Sequence, residues 1–308
     1  MKKEMPSRKK LLAVLVSDIH LSHRPPAARA AEPDWYGRQL AYLTELRVVA
    51  GATPIICAGD IFDKWNSPPE LIEFAIKHMP HMYAIPGQHD LPNHSTAQAH
   101  RSAYGCIRAA ETITEIPPAG MAIPGLFLWP FPWGTTPTPC PEASQHGFNI
   151  AVIHQYAHRG GATAYTGADK SGHAMRLMAT ASGYDVWHTG DNHIPFNATN
   201  KGKLLWNGGG FMARKTDERT HRPRVGLLMN DCGVLVIKDH HINTEEDQWV
   251  AEVDAHDAPM PAAGFAAALA ELVGGGGESF EDAVHTWLTA NPGTCPHVRK
   301  LLLESINA

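Results

Sequence analysis

The feature that most constrains this chain is a series of short, unbroken apolar runs, each stopping at a carboxylate, an imidazole or an amide. LLAVLV (11–16) runs into Ser17-Asp18-Ile19-His20, PIICA (54–58) into Gly59-Asp60, and HMYAIP (81–86) into Gly87-Gln88-His89-Asp90. FNIAVI (148–153) ends at His154, and YDVWHT (184–189) at Gly190-Asp191-Asn192-His193. Runs this short and apolar read as strands buried on both faces, the pattern of a sheet covered by helices. Residues 34–50 predict an amphipathic helix with Asp34 as N-cap. Ser67-Pro68-Pro69-Glu70 predicts a second helix running to about Met79, with Ser67 capping, Pro68 in the first turn and Glu70 closing a capping box. Strands alternating with helices predict βαβ units. In such sheets the carboxyl ends of the strands line the ligand crevice, and all five motifs stand at such ends.

Beyond residue 112 the pattern is richer in strands: 125–131, 148–155, 184–190, 204–209, 224–229 and 234–240, with a helix at 171–182. Asn230-Asp231-Cys232-Gly233 predicts a turn joining the last two as a hairpin. From residue 251 the texture changes to an Ala-rich helix (262–273), a Gly274–Gly277 break, a helix capped by Ser279 and a short helix from 296. The expected organisation is one domain over 1–250 and a small helical region over 251–308. A chain of 308 residues, 44% hydrophobic and 19% charged, can bury a large core and is not disordered as a whole. No apolar run approaches the roughly 20 residues that cross a bilayer. The basic start followed by LLAVLV looks like a secretion leader, but the run stops at Ser17-Asp18, short of an h-region of about 7–15 residues with a cleavage site. The five cysteines are scattered and form no CxxC pair. That argues against a disulfide framework or zinc ribbon and for a reducing cytoplasm.

The charge of −5 excludes a chain-wide basic coat, so any nucleic-acid contact must be local. The densest basic segment after the N-terminal Lys2, Lys3, Arg8, Lys9 and Lys10 is 201–224, with Lys201, Lys203, Arg214, Lys215, Arg219, His221, Arg222 and Arg224. It reads either as a solvated loop or as a border of the crevice holding a phosphate backbone. Trp35, Trp65, Trp129, Trp133 and Trp206 read as core. Nineteen histidines invite a search for metal ligands. Taken singly, Asp-x-His and Gly-Asp are turn chemistry more often than metal sites, and a strand histidine such as His154 is more often a satisfied core residue. Their joint occurrence, each after an apolar run, carries the metal reading: mixed oxygen and nitrogen donors suit two divalent cations.

In this order the motifs resemble the calcineurin-like metallophosphoesterase superfamily, whose pattern is D-x-H, GD, GNH[DE], a lone H and GH-x-H. The resemblance spans about residues 11–240. It implies a four-layer α/β/β/α sandwich around a dinuclear centre, to which the helical region would be an appendage. It also implies that Asp18, His20, Asp60 and His193 hold one metal and that Asp60 bridges to a second, held by Gln88, His154 and Asp191. His89, oriented by Asp90, would stand beside the leaving group. Within the superfamily, SDIHLSHRPP, GDIFDKWNSPPELI, IPGQHDLPNH and WNGGGFMARKTDERTHRPRVGLL are most similar to SbcD-type (MRE-type) DNA-repair nucleases, especially compact phage and prophage forms. That implies a DNA exonuclease or endonuclease of recombination or repair, a homodimer and an SbcC-like ATPase partner. His94, Arg214 and Arg222 are the expected substrate contacts. Two positions depart from the pattern. Gln88 stands where Asn is usual, one C–C bond of about 1.5 Å longer. Asp191 stands where His is usual, and the added carboxylate makes a harder site that favours Mn²⁺, then Mg²⁺, over Zn²⁺. Two rival readings remain open: a phosphatase or phosphodiesterase for a small-molecule or protein substrate, and a degenerate, non-catalytic binding module. A basic, open cleft favours the nuclease; a closed pocket favours the small-molecule enzyme.

Overall fold

The structure is a computed structural model and describes residues 9–141, 147–165, 168–215, 218–250 and 288–289. The chain divides into two compact units, Met1–Val250 and Ala251–Ala308. The helices expected over 262–273 and from 296, and the N-terminal Lys2, Lys3 and Arg8, lie outside the described residues; of the stretch after Ser279 only 288–289 are described, and they are helical.

The first unit follows the alternation of its apolar runs. In chain order it contains β1 (Lys10–Val16), α1 (Trp35–Ala50), β2 (Ile55–Cys57), α2 (Pro69–His78), β3 (Met82–Ala84), α3 (Ala103–Ala109) and β4 (Ile113–Glu115). Then come β5 (Met121–Ile123), β6 (Leu126–Phe131), β7 (Phe148–His154), α4 (Ala174–Thr180), β8 (Val186–Gly190), β9 (Phe196–Asn200), β10 (Lys203–Asn207), β11 (Arg224–Asp231) and β12 (Val234–His241). The strands form two six-stranded sheets, ordered β12-β11-β1-β2-β3-β4 and β5-β6-β7-β8-β10-β9. The middle of each is parallel, β1-β2-β3-β4 in one and β6-β7-β8-β10 in the other.

Period-two alternation sorts the side chains into layers. Leu12, Leu15 and Ile56 pack with Ile150, Val152, Val186 and Trp206 between the sheets. Val14, Val16 and Cys57 point the other way, into a core with Leu43 and Leu46 of α1, Leu71 of α2 and Tyr104 of α3. Ala151, Ile153 and Trp187 pack on Leu177 and Met178 of α4. This is the four-layer α/β/β/α sandwich. His188 on β8 is fully buried, and its Nε2 donates across the layers to the carbonyls of Val16 (2.9 Å) and Ile56 (3.2 Å). Burial pushes this imidazole down to about 4.

Local expectations held where the signal was a chemical cap. Asp34 caps α1 by accepting from the Gly37 amide at 2.8 Å. The β11–β12 turn is the two-residue Cys232-Gly233, both at positive φ, closed by Asp231 opposite Val234. The Ser67 capping box is corrected. The Ser67 hydroxyl turns back to the Lys64 carbonyl (2.8 Å), Pro68 takes the N-cap position and Pro69 opens α2. A proline at the first helical position has no amide to cap, which weakens the demand for a side-chain acceptor. Strands β4, β5 and β9 and helix α3, each seven residues or shorter, carry too little periodicity to be read from sequence.

Candidate metal centre

The motifs converge because β1, β2 and β3 are adjacent in one sheet and β7 and β8 in the other, with their carboxyl ends at one edge of the sandwich. The chain leaves these ends in an unusual way. Asp18 (φ 53°), His20 (φ 50°), Asp60 (φ 53°) and Asp191 (φ 79°) all occupy the left-handed region, which costs about 1–3 kcal/mol per non-glycine residue. The loops after β1 and β2 are zipped together: Asp18 N donates to Gly59 O (3.0 Å), His20 N to Asp60 O (3.0 Å) and Leu21 N to Ile61 O (2.8 Å). Gly87 is required because a Cβ there would collide with Asp60 Oδ1, and Gly59 (φ 96°) because a Cβ would collide with the His154 ring.

Three groups of donors result, each with its ligating atoms within 4.8 Å of one another: Asp18, His20 and His193; His20, Asp60 and His89; Asp18, Asp60 and His154. Asp18 and Asp60 are buried, and the ion-pair partners seen for them are imidazoles, not lysine or arginine. Buried carboxylates need cationic compensation. Asp60 Oδ2 and His20 Nδ1 are buried without a hydrogen-bond partner. The Nε2 atoms of His20 and His193 face each other at 3.0 Å. These observations fit divalent cations.

The electrostatics agree. Burial pushes Asp18 up to about 6 although His154 and His193 pull it back. Asp60, despite its burial, is held below the usual carboxylate range by His154, His20 and His89. Burial drives His20 well below the ordinary imidazole range. His193 is raised: burial works against its charge, but the hydrogen bond to Glu218 (3.1 Å) prevails. Glu218 was not foreseen. Burial would raise it, yet it accepts from His193 Nδ1 and from the amides of Arg214 (2.7 Å) and Lys215 (3.1 Å), and lies at about 2. A carboxylate behind a histidine fixes the tautomer that presents the other nitrogen to a metal.

His154, Gln88 and Asp191 form a different arrangement. His154 Nδ1 meets the Ala58 carbonyl at 2.6 Å and Nε2 meets Gln88 Oε1 at 2.6 Å. Gln88 Nε2 donates to Asp191 Oδ1 at 2.7 Å. With acceptors at both nitrogens His154 is an imidazolium; burial opposes that charge, but Asp60, Asp18 and Asp191 push it up to about 10. The longer glutamine therefore clasps the two residues expected to share a metal with it.

His89 lies at the cleft with its amide on Asp60 Oδ1 (2.9 Å) and its Nδ1 on the Asp63 carbonyl (2.8 Å). The expectation that Asp90 orients His89 is corrected. The buried Asp90 carboxylate accepts from the amides of Ile61 (3.2 Å), Phe62 (3.0 Å) and Gly87 (3.0 Å), tying the loops after β2 and β3 together. Burial and the charge of Asp60 raise it to about 7 against those three donors.

Around the centre runs an open trough. One hollow of about 430 Å³ is lined by His20, His89, His193, Asp63, Arg214 and Lys215. It shares Arg214 and Asp63 with a hollow of about 360 Å³ bearing Arg24 and Lys64. On the other side it shares His89, His193 and Lys215 with a groove of about 840 Å³ reaching Tyr156, Tyr165, His221 and Arg222. Arg214 is paired with Asp63 (2.7 Å) and Arg222 is exposed. His94 is exposed beside Trp133, ring centroids 6.2 Å apart, and is not among the residues lining these hollows. The rest of the basic segment divides. Arg224 is bound to Asp239 (2.5 Å) and Lys203 to Asp185 (2.5 Å), both structural.

Residues 12–134 match the family model described as calcineurin-like phosphoesterase. Over those residues, which make up less than half of its length, the chain is similar to the calcineurin-like phosphoesterases. Among solved structures, one from Staphylococcus aureus described as a 5′-nucleotidase is similar at 13% identity and a TM-score of 0.46, covering 80% of this chain and 56% of its own. This chain thus spans little more than half of that protein. An archaeal phosphodiesterase is similar at 13% identity and a TM-score of 0.39, covering 76% and 99%. The phosphopantetheinyl hydrolase of Mycobacterium tuberculosis is similar at 13% identity and a TM-score of 0.39, covering 74% and 95%. Comparison with curated proteins gives no match.

Proposed function

We propose that this phosphoesterase is an SbcD-type DNA nuclease that hydrolyses phosphodiester bonds. The observation that carries the reading is the trough: it passes the buried carboxylate–imidazole centre on both sides, with Arg24 and Lys64 toward one end and Lys215 and Arg222 toward the other. A strand can enter at one end and leave at the other, and lysine and arginine suit its phosphates. Asp18, His20, Asp60 and His193 would hold one cation, and Asp60 with His154, Gln88 and Asp191 a second; Mn²⁺, then Mg²⁺, suits so many carboxylates. When bound, such ions supply Lewis-acid stabilisation of the phosphate and activation of water. The chain's own residues do the rest. Asp63 O fixes the His89 ring through Nδ1, leaving Nε2 to give a proton to the departing oxygen. Glu218 and the Ala58 carbonyl fix the rings of His193 and His154. Arg214 and Lys215 border the scissile position. On the same reading the protein acts in the cytoplasm, and a second copy and an SbcC-like ATPase are its partners.

The test is cleavage of end-labelled single- and double-stranded DNA with Mn²⁺ or Mg²⁺, against bis-p-nitrophenyl phosphate. Metal-dependent cleavage of DNA is expected. Turnover of the small ester with intact DNA at high enzyme would instead support the small-molecule enzyme. The Gln88 clasp favours a second reading, a metal-poor binding module, and the metal content of the purified protein separates the two.

A further inference from the structure

The groove beyond Asp191 carries an aromatic wall that the hydrolytic chemistry does not use. Tyr165 is 58% exposed. Its ring stands 4.8 Å from that of half-buried Tyr156 at 63°, and its amide donates to the Tyr156 hydroxyl at 3.2 Å. Both line the same groove as Gln88, His89, Asp191 and His193, together with Lys215 and Arg222. The tyrosines are held in register with the centre. Asn192, only 2% exposed, sits between Asp191 and His193 and donates from Nδ2 to the carbonyls of Ala157 (2.8 Å) and Thr163 (2.9 Å). One buried amide thus staples both ends of the segment between the tyrosines to the metal loop.

An exposed aromatic face in a groove that also holds cations and leads to a phosphoester-cleaving centre has the chemistry of a base-stacking shelf: a flat π surface for a base, positive charge for the phosphates. We propose that Tyr165, positioned by Tyr156 and Asn192, stacks a nucleobase of a single-stranded nucleic-acid segment whose backbone lies toward His89. This rests on the reading of the protein as a nuclease and adds that the strand is unpaired where it meets the shelf, since a base inside a duplex offers no free face.

The experiment measures binding of two fluorescent oligonucleotides of equal length and charge, one with bases and one abasic, to metal-loaded protein carrying His89→Ala, which slows turnover. The parent is expected to bind the base-bearing strand about tenfold tighter, the scale of stacking one base on an aromatic side chain. Tyr165→Ala added to it should bring the two strands within twofold of each other without weakening the abasic one, and Tyr165→Phe should keep the preference. Equal binding of both strands by the parent, or an undiminished preference in Tyr165→Ala, overturns the shelf. Cleavage of the base-bearing strand by unsubstituted enzyme is scored separately. Base preference without cleavage keeps the shelf and rejects the nuclease; cleavage without base preference does the reverse.

Discussion

On one side of Asp60, His20 and His193 bring their Nε2 atoms to 3.0 Å of each other close to Asp18, with Glu218 holding His193 from behind. On the other side, His154 meets no second imidazole but the amide of Gln88, which reaches on to Asp191. In the first half the two imidazoles face each other, Glu218 backs His193, and His20 Nδ1 is left without a hydrogen-bond partner. In the second half the donors are hydrogen-bonded to one another, and His154 carries a proton that a cation would have to displace. The same residue types therefore make one half with an unpartnered imidazole nitrogen and one half closed by a side-chain clasp. The difference teaches that Gln88 is long enough to span His154 and Asp191, its amide oxygen meeting one and its amide nitrogen the other.

Asp60 tests whether the halves are one centre. Its carboxylate lies 3.7 Å from His20 Nε2 and 3.4 Å from His154 Nε2. Asp60→Ala should empty both halves and reduce hydrolysis to background, read by elemental analysis and a bis-p-nitrophenyl phosphate assay. Retention of one ion at full affinity would show that the halves are independent. Next in size is His89→Ala, which should cost about 10²–10⁴ in rate, the range of general acid catalysis, while both halves keep their metal. Loss of metal with the imidazole would make His89 a ligand, as its closeness to His20 and Asp60 allows.

Glu218→Gln addresses the first half alone. It should weaken that half by about 10–100-fold, the usual effect of losing the carboxylate behind a ligating histidine, and leave the second half unchanged. The halves should also respond differently to pH. Below about 10, each unit of rising pH removes more of the His154 proton, so second-half affinity should climb toward tenfold per unit. The first half should also tighten as rising pH removes the proton of His193, which Glu218 and Asp18 raise, but should level off before the second, because His193 is raised less than His154, Asp18 is ionised above about 6 and His20 is already neutral. Calorimetric metal titrations at about pH 6, 7 and 8 read both slopes, since each proton displaced enters the apparent affinity. Second-half affinity that does not rise with pH would mean that His154 is not protonated against the clasp. The smallest effect is expected from Gln88→Asn, which shortens the clasp and should tighten the second ion a few-fold; an unchanged second dissociation constant would show that the clasp is no obstacle.

The sequence by itself determined the strand ends and what stands on them. Continuous apolar runs dictate buried parallel strands, and such strands place their following residues at one edge, so Asp18, His20, Asp60, His154 and His193 were legible as one cluster. Only the tertiary structure decided who partners whom. Gln88 and Asp191 lie 103 positions apart, His193 and Glu218 25 apart, and Asn192 reaches Ala157 35 positions back. The family resemblance assigned Asp90 to His89, whereas the loop geometry gives it to three backbone amides. The reason is physical. Periodicity and capping are set by neighbours within a turn or a strand, but a loop side chain's partner is set by sheet order and by the left-handed turns at Asp18, His20, Asp60 and Asp191, and these exist only once both sheets are packed.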